Sequence, residues 1–177
     1  MDTNLLKSEI AKAFSNVIYP GDWCLKGSTE GEEPYLLEKE FKGKTDWRTL
    51  APEFLDQAPG GFGSALSFFS DEAFRFFLPA YLIADVDGKL ESCDVAYYLA
   101  GKLQKKPEES ELLNPKRYGD RTWWDYATFR LSVFNREQCS VISKYLRFKL
   151  EFPDSDEFVI KKALQNYWDP RSNGAKV

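Results

Sequence analysis

Three glutamates within four residues form the first group in this sequence that could do chemistry. Glu30, Glu32 and Glu33 lie in the stretch "TEGEEP", and Glu38 and Glu40 follow closely. Carboxylates spaced in this way can coordinate a hard cation, supply a paired general acid and base, or face a basic partner. A solvated acidic loop explains the same residues without any site, and the pattern favours that simpler interpretation.

The absence of histidine limits the reactions that this chain could catalyse. None of the 177 residues is a histidine, which excludes histidine-based nucleophilic systems, histidine-ligated metals and imidazole acid–base chemistry. An enzyme built from this chain would depend on carboxylates, lysine, tyrosine, cysteine or a carboxylate-bound metal. We therefore expect a protein that is not an enzyme, with no catalytic residue, metal or cofactor, and keep a carboxylate-dependent metal enzyme as the alternative.

Two further stretches match known binding loops only in part. Gly43-Lys44-Thr45 resembles the end of a phosphate-binding loop, but Glu38 occupies the position where that loop requires glycine. The stretch "IADVDGKLESCD" matches an EF-hand frame except at its first ligand position, which is Ile83. Neither stretch therefore predicts a nucleotide or calcium site.

The two halves of the sequence carry opposite charge. Residues 1–88 contain 8 Lys and Arg against 15 Asp and Glu, whereas residues 89–177 contain 16 against 13. In the second half, "KRYGDRTWWDY" interleaves basic and aromatic residues: Lys116, Arg117, Tyr118, Arg121, Trp123, Trp124 and Tyr126. Such a pattern can bind single-stranded nucleic acid. Because the isoelectric point is about 5.1 and Asp120 and Asp125 lie in the same patch, we expect no nucleic-acid partner and keep such a module as a second alternative.

Cysteine spacing and hydropathy indicate the compartment. Cys24, Cys93 and Cys139 are odd in number and widely separated, which argues against a disulfide framework or a zinc site. No apolar run reaches the roughly 18 residues of a membrane span, and the N-terminus lacks the basic start and apolar block of a secretory signal. We expect a cytoplasmic protein without a membrane partner, folded as one domain over residues 1–177.

Hydrophobic periodicity predicts a mainly α fold. A minor extended component would place the fold in the α+β class. Helices are predicted over residues 4–18, 71–85, 95–106, 136–150 and about 155–168, with Asp169-Pro170 ending the last one. A short strand is predicted over 35–41 and an extended segment over 126–133. The expected architecture is a single compact helical domain around a proline-kinked core helix.

The stretch "SDEAFRFFLPAYLIADVDG" supplies that core helix. Ser70 is a suitable N-cap, the helix is apolar on all sides, and Pro79 predicts a kink. Arg75 stands four residues after Asp71, within pairing distance. We predict a structural ion pair of Arg75 with Asp71 or with an acidic residue of the Glu30–Glu33 loop, because an unpaired guanidinium in so apolar a helix would be costly.

Several of these motifs together resemble a family of small bacterial proteins defined only as a domain of unknown function. The resemblance rests on an EGEEP-like loop, a Phe/Trp segment, an AFRYYLPAYL-like helix and two C-terminal motifs. These correspond to Glu30–Pro34, Phe41–Trp47, Ala73–Leu82, Phe134 with Gln138, and Ala163-Leu164 with Tyr167-Trp168. The resemblance implies a bacterial cytoplasmic domain and brings no catalytic residue, cofactor or substrate.

The function predicted from the sequence is non-enzymatic binding of a protein partner. In its sharpest version the chain is an immunity or antitoxin-like protein that covers a basic surface of a toxin. Glu30, Glu32 and Glu33 are the predicted partner-binding residues, since complementary charge speeds association and restricts partners. The sequence leaves the oligomeric state open.

Overall fold

The computed structural model describes residues 1–175, and it confirms the mainly α fold class. The extended component within these residues consists of isolated bridges that pair Lys26 with Phe69 and Leu112 with Thr122. The chain divides into two compact units, Met1–Tyr98 and Leu99–Val177. The expectation of a single domain over residues 1–177 stays a prediction.

The first unit is built from short helices and one long one. The helices are α1 (Thr3–Ala13), α2 (Glu33–Phe41), α3 (Pro52–Gln57), α4 (Ala65–Phe68), α5 (Asp71–Val86) and α6 (Val95–Ala100), of which α6 continues into the second unit. Two 3-10 turns, Asp22–Cys24 and Trp47–Thr49, lie between them.

The helix α5 forms the core of the first unit, as predicted. The Ser70 hydroxyl caps it by accepting the backbone N–H of Ala73 at 3.1 Å, and the helix runs through Pro79 to Val86. It packs against α1, α3 and the turn Trp47–Thr49. Phe77 of α5 stacks on Phe69 and meets Phe41 edge to face, with ring centroids 5.0 and 4.9 Å apart. The kink at Pro79 stays a prediction.

The second unit contains a bundle of helices at its C-terminal end. The helices are α7 (Pro115–Tyr118), α8 (Trp123–Leu131), α9 (Arg136–Lys149), α10 (Glu157–Ala163) and α11 (Asp169–Ser172), with a 3-10 turn at Pro107–Glu109. The predicted capping box of α9 is present, since the Asn135 side chain accepts the Gln138 N–H and the Gln138 side chain accepts the Asn135 N–H.

The sequence predicted that the last helix ends at Asp169-Pro170, but the helical path continues through these residues. A π-helical segment, Leu164–Trp168, joins α10 directly to α11. The N–H of Asp169 donates to the carbonyl of Leu164, five residues earlier, and Pro170 then takes an early position in α11, where no N–H is needed. The cap of α10 is Asp156 rather than Asp154 or Ser155.

The two predicted extended segments are helices. Residues 35–41 belong to α2, whose buried positions Pro34, Leu37 and Phe41 follow a spacing of three and four. Residues 126–131 belong to α8, which starts with a capping box between Thr122 and Asp125. The apparent alternation over 126–133 also satisfies a helical period, and the capping box starts α8 as a helix. The helix α2 has no side-chain cap at its N-terminus, and the spacing of its buried residues is what indicates a helix.

Two predicted helices are shorter than expected because side chains compete for their carbonyl groups. The helix α1 ends at Ala13 rather than near residue 18, where the Ser15 hydroxyl donates to the Lys12 carbonyl at 2.8 Å. The helix α6 ends at Ala100 rather than 106, where the Trp168 indole N–H donates to the Leu99 carbonyl at 2.8 Å. Leu5 and Ile18, two apolar residues of the segment predicted as the first helix, are exposed.

Candidate functional site

The surface around α2 is where the first unit exposes most of its chemically distinctive side chains. Pro34, Leu37 and Phe41 anchor this helix in the core, which leaves Tyr35 and Lys39 on its outer side. Tyr35 keeps 50% of its surface exposed. We call this surface, together with the segments that flank it, the α2 face; it comprises Trp23, Glu30, Glu32, Glu33, Tyr35, Lys39, Lys42 and Phe62.

A fixed turn presents Trp23 at one side of the α2 face. Trp23 is 84% exposed, the second highest value among the exposed large hydrophobic residues. Its indole lies against Gly21, where a Cβ atom would stand 2.7 Å from Nε1, and Gly21 has a φ of +94°. A glycine is therefore required for the ring to occupy this position.

The turn that carries Trp23 is held by hydrogen bonds on both sides. The Asp22 carboxylate accepts the Tyr19 hydroxyl at 2.6 Å and the Gly43 N–H at 2.8 Å, both through Oδ1. The Cys24 carbonyl accepts the hydroxyl of Ser70, the residue that caps α5. The turn is thus tied to the loop after α2 and to the start of the core helix, which fixes the backbone position from which Trp23 projects.

The electrostatics of this turn keep Asp22 charged. The hydrogen bond from Tyr19, followed by that from Gly43, lowers the pKa of Asp22 below its usual value. Burial, and then the hydrogen bond to Asp22, raises the pKa of Tyr19. Asp22 is therefore an ionised acceptor and Tyr19 a neutral donor across the physiological range, which keeps the bond between them intact.

A cleft of about 550 Å³ separates the Trp23 turn from α2. It is lined by Asp22, Trp23, Tyr35, Glu38, Lys39 and Lys42. Glu38 forms an ion pair with Lys26, whose ammonium also lies over the Tyr35 ring, 4.8 Å from its centroid. Among residues 1–175, neither Lys39 nor Lys42 forms an ion pair.

A glycine-rich loop presents Phe62 at the other side of α2. Phe62 is 71% exposed, between Gly60-Gly61 and Gly63. The N–H of Gly60 donates to the Glu40 carboxylate of α2 at 3.0 Å, and a Cβ atom on Gly60 would lie 3.3 Å from Leu36. Two exposed aromatic rings, Trp23 and Phe62, are therefore each tied to a different side of the same helix.

The predicted partner-binding glutamates lie at the start of α2. Glu30 and Glu32 are exposed and Glu33, the first residue of the helix, is half-buried. The N–H of Glu30 donates to the Ser28 hydroxyl at 3.1 Å. The Glu33 carboxylate folds back over Gly31, so a Cβ atom there would meet Oε2 at 2.6 Å. Their role in partner binding stays a prediction.

The second predicted group, Arg75 with Asp71, lies at the N-terminal end of α5. Both residues are half-buried rather than fully enclosed, so the helix is less apolar around Arg75 than the sequence indicated. Their ion pair stays a prediction.

The basic and aromatic patch of the second unit uses its ring faces internally. The Arg121 guanidinium lies over Tyr126 and Phe129, 5.8 and 5.3 Å from their centroids, and that of Arg117 lies over Tyr118 at 5.1 Å. Trp124 is buried. Cations of the same chain therefore lie over Tyr118, Tyr126 and Phe129, and these rings remain 37–65% exposed.

No group of three or more cysteine, aspartate or glutamate residues within residues 1–175 is arranged to hold a metal ion. Over the same range, no helix has both the length and the apolar character needed to cross a membrane.

Comparison with protein families gave a match that extends across both units. The model of a family of unknown function, DUF6714, matches residues 4–172. The chain belongs to this family. Comparison with curated proteins and with solved structures gave no significant match. The expected membership of a family of unknown function is thereby confirmed, whereas the bacterial origin stays a prediction.

The structure of this DUF6714 chain separates the stretches that carried the resemblance into interior and surface. The side chains of Phe41, Trp47, Phe134 and Gln138 are buried, as are Ala163, Leu164, Tyr167 and Trp168 of the C-terminal motif. Much of the core helix is buried as well. Glu30 and Glu32 are exposed, so the acidic part of the α2 face is accessible to a partner.

The sequence interpretation missed five residues of the α2 face in this DUF6714 chain: Trp23, Tyr35, Lys39, Lys42 and Phe62. Trp23 and Phe62 each follow a Pro-Gly pair, in "PGDW" and "PGGFG", and an aromatic residue at the tip of such a turn is a signal for exposure. Lys39 and Lys42 were missed because residues 35–41 were assigned to a strand. Only the helical spacing brings them to the same side as Tyr35.

Proposed function

We propose that this DUF6714 chain is a non-enzymatic binding protein that uses the α2 face to cover a basic surface of a protein partner. The observation that carries the proposal is Trp23, 84% exposed, with its ring against Gly21, on a turn whose backbone is held by the hydrogen bonds of Asp22. Large aromatic residues that are fixed before binding are the usual energetic anchors of protein interfaces.

The charge of the first unit supports a basic partner. Met1–Tyr98 contains 9 Lys and Arg against 17 Asp and Glu, a net charge of −8. Glu30 and Glu32 are exposed beside the anchor. Complementary charge at the rim of an interface accelerates association and discriminates between partners. In this proposal the acidic loop speeds the approach of the partner, and the aromatic residues contribute most of the binding energy.

The proposed location of the protein is the bacterial cytoplasm, and the most specific form of the proposal is that the partner is a toxin. Three free cysteines, Cys24, Cys93 and Cys139, support a reducing compartment. The family resemblance supports the bacterial setting. The net negative charge of the first unit supports the immunity-like role, in which such a surface would cover a basic enzyme.

Site-specific crosslinking tests the proposal. A photoreactive phenylalanine analogue at position 23, in cells that naturally make the protein, should crosslink to one partner, while the same analogue at exposed Tyr97 should not. The partner is then purified, and its binding to the wild type and to Trp23→Ala is measured. A loss of affinity of at least about 2 kcal/mol is expected for Trp23→Ala, the range of an aromatic hot spot, with little change for Tyr97→Ala.

The acidic loop is tested with the same purified partner. The triple variant Glu30→Gln/Glu32→Gln/Glu33→Gln should slow association markedly at low salt and change dissociation less, because rim charges act mainly through steering. The effect should shrink as the screening length falls toward about 3 Å at 1 M salt. The control removes three exposed glutamates elsewhere: Glu53→Gln/Glu91→Gln/Glu108→Gln. Equal association rates for both triple variants would move the interface away from the α2 face.

A further inference from the structure

The exposed side of α2 carries its charges in a fixed order. Glu32 lies at the N-terminal end, Tyr35 in the middle, and Lys39 and Lys42 at the C-terminal end, spaced by three or four residues. Residues at this spacing lie on one side of a helix. The α2 face is therefore acidic at one end and basic at the other, although the unit as a whole is acidic.

The charges within the cleft differ in how far they are already satisfied. Asp22 accepts two hydrogen bonds through Oδ1, and Glu38 is paired with Lys26. Lys39 and Lys42 form no ion pair within residues 1–175, although the charge of Lys42 also helps to lower the pKa of Asp22. The cleft therefore has two aromatic walls, Trp23 and Tyr35, and two ammonium groups that can still accept an anionic partner.

We propose that this cleft binds an acidic side chain of the partner, next to an aromatic or apolar side chain that lies against Trp23. The inference rests on the proposed function and deepens it, because it fixes the orientation of the partner along α2. A basic region of the partner lies opposite Glu32, and a carboxylate lies opposite Lys39 and Lys42. A partner in the reverse orientation would place like charges together at both ends, which disfavours binding.

A carboxylate suits this cleft better than a phosphate group. Asp22 and Glu38 line the same cleft, so a doubly charged phosphate would meet two carboxylates. The Gly43 N–H, a backbone donor in the loop after α2, is already used by Asp22. Phosphate sites usually offer several backbone N–H groups, whereas two lysine ammonium groups match a single carboxylate.

Nuclear magnetic resonance with defined peptides tests the inference without the natural partner. The probe is a capped five-residue peptide in which a phenylalanine and two glutamates stand between glycines. The five tryptophans give five indole N–H signals, and Trp23→Phe identifies that of Trp23. The peptide should shift the Trp23 indole signal and the Gly43 amide signal. A peptide with lysines in place of glutamates, and one with alanine in place of phenylalanine, should bind at least about fivefold more weakly.

Substitution of the two lysines provides the second arm. Lys39→Gln/Lys42→Gln should weaken binding of the acidic peptide by about fivefold to tenfold, since each exposed charge pair contributes up to about 1 kcal/mol. The matched control Lys12→Gln/Lys89→Gln removes two lysines of the same unit outside the cleft and should leave binding unchanged. Equal binding by both double variants would overturn the inference, and so would tighter binding of adenosine monophosphate than of the peptide.

The two proposals fail in different ways. If Trp23→Ala abolishes partner binding while Lys39→Gln/Lys42→Gln has no effect on partner or peptide, the proposed function stands and the orientation is wrong. If the acidic peptide binds with the expected dependence on the lysines but Trp23→Ala leaves partner binding intact, the proposed function is wrong and the ligand chemistry of the cleft stands.

Discussion

Asp56 in α3 holds a buried carboxylate that organises the loop after α5. Only 7% of Asp56 is exposed. Its Oδ1 atom accepts three consecutive backbone N–H groups, those of Glu91, Ser92 and Cys93, at 2.9, 2.8 and 3.1 Å. A buried charge is tolerated when hydrogen bonds replace its hydration, and here the loop supplies them.

We predict that Asp56→Ala costs about 3 kcal/mol of unfolding free energy, because one buried and two part-buried backbone N–H groups lose their acceptor. Asp56→Asn keeps an oxygen in the same place and should cost clearly less. Urea denaturation measures both. Glu53→Ala, at an exposed position of the same helix, serves as control and should stay within about 0.5 kcal/mol. A cost of Asp56→Ala below 1 kcal/mol would show that water can replace the carboxylate.

Substitutions of Arg75 can distinguish a structural role of this residue from a role in partner binding. If Arg75 forms a structural ion pair and also packs its aliphatic stem, both substitutions remove the ion pair but only alanine also removes the packing. Arg75→Met should therefore destabilise the protein no more than Arg75→Ala. Thermal and urea denaturation of Arg75→Met and Arg75→Ala give the comparison. If both variants keep full stability but lose partner binding, Arg75 belongs to the interface instead.

The π-helical segment Leu164–Trp168 leads directly into α11. Downstream of it, both carboxylate oxygens of Asp169 accept from Nη2 of Arg147 at 2.8 Å, and the Arg171 guanidinium donates to the Phe134 carbonyl at 2.7 Å. Within it, the Asn166 amide donates to the Leu103 carbonyl at 2.9 Å. π-Helical turns frequently occur at functional sites; the contacts here indicate a structural use.

Deletion of the exposed residue Gln165 tests that structural use. Without it, the segment can return to α-helical hydrogen bonding; because a π turn closes one residue later than an α turn, residues 169–172 keep their direction while the residues inside the segment shift. We expect a loss of about 1 to 2 kcal/mol, because Asn166 moves and its hydrogen bond to the Leu103 carbonyl breaks. Gln165→Ala should change the stability by less than about 0.5 kcal/mol. Equal stability of the deletion and the substitution would mean that the π turn is incidental.

The elements that could be predicted from the sequence are those with local signals at their ends. Ser70 for α5 and Asn135 with Gln138 for α9 fixed these helices correctly. The helix α2 was missed because its N-cap, Glu32, makes no side-chain cap bond. The π-helical segment was missed because it depends on tertiary hydrogen bonds to residues more than 60 positions away.

The candidate site was predictable only in its acidic part. Glu30, Glu32 and Glu33 stand out by composition, whereas the cleft requires Gly43 to meet Asp22 across 21 residues. A non-local contact of this kind leaves no periodicity in the sequence. The exposed aromatic residues were visible in principle, at the tips of glycine-containing turns.

At the scale of the whole molecule, charge is distributed by unit. Met1–Tyr98 has a net charge of −8 and Leu99–Val177, with 15 Lys and Arg against 11 Asp and Glu, has a net charge of +4. The overall value of −4 therefore conceals two surfaces that attract opposite partners. For a basic partner, electrostatic steering favours approach to the first unit.

Buried thiol and phenol groups in both units make the molecule sensitive to high pH. Burial, and then the charge of Asp56, raises the pKa of Cys93 from its usual 9.0 to about 12. Burial raises the pKa of Tyr167 from its usual 10.0 to about 12, and it also raises the pKa values of Tyr81, Tyr98 and Cys139. In the folded protein these groups keep their protons at pH values where the unfolded chain loses them.

We therefore predict that stability falls between about pH 9 and pH 12. Below pH 9 both states hold these protons and the contribution is complete; above it the unfolded chain binds fewer protons than the folded one, so each step in pH favours unfolding. Each fully shifted group contributes a slope of up to about 1.4 kcal/mol per pH unit. Urea denaturation at pH 8 to 11 measures the slope, which should decrease in Cys93→Ala and in Tyr167→Phe while both variants match the wild-type slope below pH 8. Constant or rising stability from pH 9 to 11 would mean that these groups reach water before the chain unfolds.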